Sequence, residues 1–323
     1  MANASPALPA LRVGVVGAGR VGAVLAARLQ QHADFTVTAV AGASDATLAR
    51  AAALLPGVPV DKPSAVARAS DVLLLTVPDD MLANVVRVLA DSGAITEGQY
   101  VVHTSGRHGL SVLDPAADLG ARVIALHPAM TFTGTAVDLD RLSGCVFGVT
   151  ATRSERRMAE RLVDALGGRL MPVPEEMRTL YHAGLAHGAN HLVTLVAEAM
   201  EILRAAGADD PAGTLRPLLT AALDNALEHG DAALTGPIVR GDAGTVAAHL
   251  ADLTANAPHT LPSYVAMARA TLDRAAADGR LLPLRAVKIS AMLDQAVAEA
   301  PRAETRPEHR AVRTRRLRHG GIA

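Results

Sequence analysis

The stretch from Leu11 to Gly22, LRVGVVGAGRVG, decides the fold. An apolar run at 11–16 leads into glycines at 17, 19 and 22, and the pattern then turns helical to about residue 30. In such a strand–turn–helix unit each glycine has its own task. Gly17 permits the tight turn, Gly19 lets a pyrophosphate approach the backbone, and Gly22 lets the helix pack on the strand. The unpaired N–H groups and dipole at the start of that helix favour an anion. Gly17, Gly19 and Gly22 are therefore the expected pyrophosphate cradle, with Ala18, Arg20 and Val21 in the turn between them.

Working outward, short apolar runs keep alternating with helical patterns. FTVTAVAG (35–42), VPV (58–60), SDVLLLTVP (70–78), QYVVHTSG (99–106), ARVIALHP (121–128), CVFGVTA (145–151) and RLMPV (169–173) all read as strands. Helices are expected near 46–55, 79–91 and 154–166. Continuous apolar strands alternating with helices mean a mostly parallel sheet covered on both faces, a doubly wound α/β domain. From about residue 175 to 297 the pattern is almost wholly helical, so an all-α domain follows. The expected division is a tail at 1–8, an NAD(P)-binding Rossmann-like domain at 9–173, a helical substrate and dimerisation domain at 174–300, and a tail at 301–323.

Composition narrows the class. Half of the 323 residues are apolar, so the chain can bury a large core, but it has no Trp and only three Phe and three Tyr. The core must rest on Ala, Leu and Val. A formal net charge of −1 argues against a general nucleic-acid or membrane surface. With one cysteine, Cys145, no intramolecular disulfide can form, and a reducing cytoplasm fits. The N-terminus has no signal-peptide pattern, and no run of about 18 apolar residues suggests a membrane span. The tail from Pro301 holds seven arginines against two glutamates, which reads as disordered and solvated.

The end of the second strand bears on the cofactor. NAD binders usually place a carboxylate there for the ribose 2′-hydroxyl. Here the position after the strand is small, Ser44 follows, and Asp45 reads as the N-cap of the next helix. A small residue and a hydroxyl, with charge from Arg20 or Arg50, suit a 2′-phosphate, so NADP is expected over NAD.

With the helical second half, the motifs VGVVGAGRVG, DVLLLTVPDD, HTSG and LHPAMTF resemble the 6-phosphogluconate-dehydrogenase-like superfamily. That group holds ketopantoate reductases, β-hydroxyacid dehydrogenases and pyrroline-5-carboxylate reductases. Within it the chain is similar to a bacterial family with a Rossmann-like N-terminal domain and a C-terminal helical domain of originally unknown function. Some members of that family have been proposed as alternative ketopantoate reductases. The YHAG…N of 181–190 and TGPIVRGD of 235–242 carry the narrower likeness. The resemblance implies Ser44 near the adenosine ribose and Val77 and Pro78 along the cofactor groove. It places His103, Ser105 and Gly106 near the nicotinamide, and His127 and Pro128 at the cleft. These residues close the fourth, fifth and sixth expected strands.

Superfamily relatives carry a lysine four residues before an asparagine on the first long helix of the second domain. Asn190 fits the asparagine, and Ala186 stands where the lysine would be. At about 100° per residue, His182, Ala186 and Asn190 share one stripe of a helix. His182 or His127 could then protonate a developing alkoxide, with Asn190 and Ser105 bonding the oxygen. Arg240 is the expected clamp for a substrate carboxylate, with His187 on the neighbouring helix edge. The histidines are scattered over different elements, and no metal site is expected.

Together these readings imply an NADP-dependent reductase of a small carbonyl acid, with ketopantoate as the leading substrate and a homodimer as the assembly. The alternatives are an imine reductase similar to pyrroline-5-carboxylate reductase, a non-catalytic NADP-binding sensor, and an enzyme reducing a deazaflavin partner.

Overall fold

A computed structural model describes residues 9–299 of the chain. The 1–8 and 301–323 tails of the sequence analysis lie outside the described residues. The described chain divides into two compact units, one ending at His191 and one starting at Leu192.

Unit 1 is built on a seven-stranded sheet. Its elements are β1 (Leu11–Val16), α1 (Arg20–Gln30), β2 (Phe35–Ala41), α2 (Asp45–Leu54), α3 (Pro63–Arg68), β3 (Val72–Leu75) and α4 (Asp79–Asp91). They continue with β4 (Tyr100–His103), α5 (Asp114–Ala117), β5 (Arg122–Pro128), α6 (Val137–Arg141), β6 (Val146–Ala151), α7 (Arg156–Ala165) and β7 (Arg169–Pro172). The strand order is β2-β1-β3-β4-β5-β6-β7, and every pairing is parallel except β5 with β6.

Val72–Leu75 is buried along its whole length, as a strand covered on both faces must be. One core layer joins the sheet to α1 and α7 through Leu25, Leu29 and Leu162, and the other joins it to α3 and α4 through Val66, Leu82 and Val86. From β1 the chain runs outward to β2 and then crosses back to place β3 on the other side of β1. The carboxyl ends of β1 and β3 therefore flank a topological switch point, where doubly wound folds bind ligands.

Two local expectations change. VPV makes only an isolated bridge, Val40 to Val60, so the strands that end at Leu75, His103 and Pro128 are the third, fourth and fifth. A six-residue helix, α3, follows it, opened by Pro63 at its first turn, where a missing N–H costs nothing. The sheet ends at Pro172, but unit 1 also keeps the first turns of α8 (Arg178–Ala205). Arg178 bonds Gly148 and Thr150 of β6 and Tyr181 bonds His127 of β5, which explains why the contact boundary falls inside that helix.

Unit 2 holds the rest of α8 and then α9 (Pro211–His229), α10 (Pro237–Arg240), α11 (Ala243–Asn256), α12 (Leu261–Ala277) and α13 (Pro283–Glu299). Its core joins Val246, Leu250 and Leu253 of α11 to Val265, Ala268 and Leu272 of α12 and Ile289 and Leu293 of α13. Asp242 caps α11 by accepting from Thr245 N–H at 3.1 Å, and Gly241 before it is left-handed at φ 68°. Among the described residues no helix is long and apolar enough to cross a membrane.

Candidate active site of unit 1

The glycine turn sits at the switch point and is tied to β3. Gly17 has φ 100°, and a Cβ there would fall 2.8 Å from the carbonyl carbon of Thr76. Thr76 Oγ1 donates to the Gly17 carbonyl at 2.6 Å, which locks the two strand ends together. A Cβ on Gly22 would lie 2.2 Å from that same Oγ1. The position of Gly19 differs, for the nearest atom to a Cβ there is 3.8 Å away. Gly17 and Gly22 are thus required by the protein's own packing, whereas Gly19 faces open space. No side chain caps α1, and its first turn holds no acidic residue. The cradle therefore suits a pyrophosphate in space and in charge.

At the end of β2, Ser44 is the N-cap of α2, accepting from Thr47 N–H at 3.2 Å. Asp45 is the first residue of that helix, which corrects its expected role as the cap. Gly42 must be small because a Cβ would meet Thr47 Cγ2 at 2.3 Å. Arg20 and Arg50 come together over Gly134, where a Cβ would fall 2.5 Å from Arg50 Nε and 2.9 Å from Arg20 Cγ. The loop bearing Gly134 is pinned by the buried Asp138 carboxylate, which accepts from the N–H groups of Thr133 and Gly134. Two arginine side chains gathered over one loop suit a phosphate.

Past β4 the chain winds tightly through His103–Ser111. His103 is fully buried. Its Nδ1 accepts from Ser105 N–H at 3.1 Å, so its Nε2–H donates to the Gly109 carbonyl at 2.8 Å. Burial, aided by the charge of Arg178, pushes its pKa down to about 4. This neutral ring braces the loop and has no face left for a ligand. Both of its ring nitrogens are used within the loop. Ser105 is also buried, and its Oγ accepts from His108 N–H at 3.1 Å.

Two residues just before and within α8 hold the loop from outside. Glu175 accepts from Leu110 N–H at 2.7 Å and Ser111 N–H at 3.3 Å. Arg178 is fully buried and donates to the Ser105 carbonyl at 2.6 Å, to Thr150 Oγ1 at 3.0 Å and to the Gly148 carbonyl at 3.4 Å, while its Nε has no partner. No carboxylate bonds this guanidinium among the described residues, so its positive charge acts on the rings around it.

His127 ends β5 opposite Gly148 of β6. Its Nδ1 lies 2.9 Å from the Tyr181 hydroxyl, and the two rings stand edge to face. His182, half-buried, packs edge to face on the other side at 5.7 Å between centroids. Burial, with His182 and Arg178 nearby, lowers the pKa of His127 to about 4, and burial raises that of Tyr181. Both groups are then neutral near pH 7. The phenol can donate to Nδ1, which leaves the Nε2–H of His127 toward Gly106. A Cβ on Gly106 would lie 3.1 Å from that Nε2 and 2.4 Å from His182 Cδ2, so only glycine fits. Likewise a Cβ on Gly148 would fall 2.5 Å from the Tyr181 oxygen.

The structure therefore gathers His127, His182, Ser105 and Gly106, and adds Tyr181, Arg178, Glu175 and Thr76, to which the sequence assigned no role. Tyr181 stood inside the YHAG motif, which was its one signal. Asn190 is exposed eight residues beyond His182 on the same helix, about 12 Å along its axis. His187 pairs with His191 rather than with the cluster. Val77 is half-buried and Pro78 is the N-cap of α4. Arg240 belongs to unit 2, where it is exposed and its carbonyl accepts from Arg285 at 3.0 Å. Cys145 is buried and burial raises its pKa, so it is an inert core thiol.

Comparison with known proteins agrees with this architecture. The model of a Rossmann-like domain matches residues 2–128, and that of a domain of unknown function, DUF2520, matches residues 145–271. Curated proteins give no sequence match. Among solved structures, a proposed NADP oxidoreductase from Bacteroides fragilis is similar at TM-score 0.70 and 19% identity, over 81% of this chain and 98% of that one. An imine reductase from Pseudomonas sp. is similar at TM-score 0.57 and 17% identity, over 90% and 94%. A Plasmodium falciparum pyrroline carboxylate reductase with NADP bound is similar at TM-score 0.53 and 10% identity, over 88% and 99%. At these identities the likeness is one of fold. The chain thus matches the Rossmann-like domain model in its first half and the DUF2520 model in its second.

Proposed function

We propose that the protein is an NADP(H)-dependent reductase of a small carbonyl acid or of a cyclic imine. The supporting observation is a juxtaposition on one sheet edge. The glycine turn follows β1, and the His127–Tyr181–His182 cluster stands at the end of β5, three strands away. At about 4.8 Å per strand that is roughly 14 Å, a span that suits an extended dinucleotide. The cradle takes the pyrophosphate, and Arg20, Arg50 and Ser44 take the 2′-phosphate. Bound there, a reduced nicotinamide supplies hydride. The chain's own part is the proton. His127 presents its Nε2–H, Tyr181 replaces that proton through Nδ1, and water returns a proton to the Tyr181 phenolate, which burial disfavours. His182 packs against the ring, burial with His182 and Arg178 nearby keeps it from charging, and Ser105 holds the loop in register. Ketopantoate is the first acid to assay. The likeness to an imine reductase and to a pyrroline carboxylate reductase favours cyclic imines as the second class.

The test is NADPH oxidation across a panel of 2-keto acids and cyclic imines. Turnover is expected with one class, and Tyr181→Phe should lower kcat about a hundredfold with KM for NADPH unchanged. In the same assay Arg50→Ala should raise KM for NADPH about tenfold or more and leave NADH nearly unaffected, since a charge-assisted bond contributes roughly 1.5–3 kcal/mol. Tight NADPH binding with no oxidation across the panel would reject the reductase and leave a nucleotide sensor.

We also propose a homodimer. Pro211 and Leu215 are the only buried residues of α9, while Leu218 and Leu227 are 64% and 79% exposed. An Ala-rich groove between α9 and α12, lined by Leu218, Ala222, Met267 and Ala270, offers a second copy a seat. A monomeric mass by light scattering would remove this assembly.

A further inference from the structure

We propose that His187 and His191 form a two-nitrogen chelate for Cu(II) or Ni(II) on the exposed surface of α8. The two residues stand one turn apart on a helix that is continuous over Arg178–Ala205, and both are exposed. Their Nδ1 atoms lie 2.9 Å apart, with ring centroids at 5.0 Å and planes 89° to each other. Scattered histidines had suggested no metal site, but these two have i, i+4 spacing and the helix brings them together.

The distance tells which ion fits. Two neutral imidazoles at hydrogen-bonding distance share one proton, which one Nδ1 donates to the lone pair of the other. The ring that holds that proton on Nδ1 shifts it to Nε2 by exchange with water, and the metal ion then accepts a lone pair from the Nδ1 of each ring. Metal–nitrogen bonds of about 2.0–2.1 Å put two cis ligands about 2.9 Å apart at a right angle, and about 3.3–3.4 Å apart at the tetrahedral angle. The pair therefore has the nitrogen separation of two cis ligands on a tetragonal ion, and the exposed rings need only turn to aim both lone pairs at it. Imidazole nitrogen suits that ion, and affinities for divalent first-row metals peak at Cu(II). Among the described residues no three metal-binding side chains gather, so water fills the other positions. This is an open surface chelate, not a closed structural site. A bound ion would clamp one turn of α8 and stabilise the helix that carries Tyr181 and His182.

The experiment titrates the metal-stripped full chain with Cu(II) by calorimetry and electron paramagnetic resonance. The expected result is one site whose resonance shows coupling to two nitrogens. It should weaken at least tenfold in His187→Ala and again in His191→Ala. A copper-dependent rise in Tm should appear in the wild type alone. Mg(II) should produce none of these effects. Both rings are exposed, so the apo variants should melt as the wild type does; if either alanine variant misfolds, His187→Gln and His191→Gln replace it. Wild-type affinity in both single variants would place the copper on other histidines and overturn the proposal. So would a wild type that binds no more tightly than the double variant.

Discussion

Gly22→Ala should destabilise unit 1 by a few kcal/mol and abolish measurable NADPH binding. The added methyl would sit 2.2 Å from Thr76 Oγ1 and 2.5 Å from the Gly17 carbonyl oxygen. The hydroxyl cannot simply swing away, because its 2.6 Å bond to that carbonyl holds the turn against β3. The carbonyl cannot retreat either, since Gly17 is fixed at φ 100° with Thr76 backbone behind it. Overpacking of this kind costs about 1–3 kcal/mol, and loss of the hydroxyl bond adds about 1 kcal/mol. Urea unfolding would read the first effect and calorimetric titration with NADPH the second. Gly22→Ala combined with Thr76→Ala relieves one contact and leaves the other, so it should recover part of the stability and none of the binding. Gly184→Ala is the control: nothing lies within 4 Å of a Cβ there, and the helix should gain slightly. Full NADPH affinity in Gly22→Ala would mean that the turn is not the pyrophosphate cradle.

The features that decide this prediction differ in how readable they were. The glycine spacing and the doubly wound sheet are written locally, because parallel strands buried on both faces appear as unbroken apolar runs. The clash partner, Thr76, is not, for it lies 59 residues from Gly17. The candidate site divides in the same way. His127 and His182 were marked by their place at a strand end and on an Ala-rich helix. Arg178, which would ordinarily be taken for a solvated residue at a helix start, is fully buried and bonds Ser105 across 73 positions. Nor can sequence distinguish His103 as a brace from His103 as a ligand contact. The bond from Ser105 N–H and the bond to the Gly109 carbonyl decide that, and both depend on how the loop closes. VPV misled because a strand pattern of three residues, with Pro59 in the middle, supports a single bridge and no ladder.

That loop closure makes the protein acid-sensitive, with a loss of stability expected between about pH 6.5 and pH 4. In the folded chain the pKa values of His103 and His127 are each lowered to about 4. An unfolded imidazole titrates near 6.5. Over that interval the unfolded chain takes up two protons that the native chain refuses, so unfolding becomes more favourable as pH falls. The full contribution is present above about 6.5 and is lost by about 4. A displacement of this size corresponds to roughly 3 kcal/mol for each ring. Carboxylates titrate in the lower part of the same range, so a bare decline does not identify its source. His103→Gln separates them: an amide can accept from Ser105 N–H and donate to Gly109 without titrating. That variant should lose about 1 kcal/mol at pH 7 through imperfect geometry and then decline less steeply, by one proton, as pH falls from 6.5. An unchanged slope would show that His103 is not held neutral by the folded loop. The clamp built by Arg178 and Glu175 would then be looser than their bonds to Ser105, Leu110 and Ser111 imply.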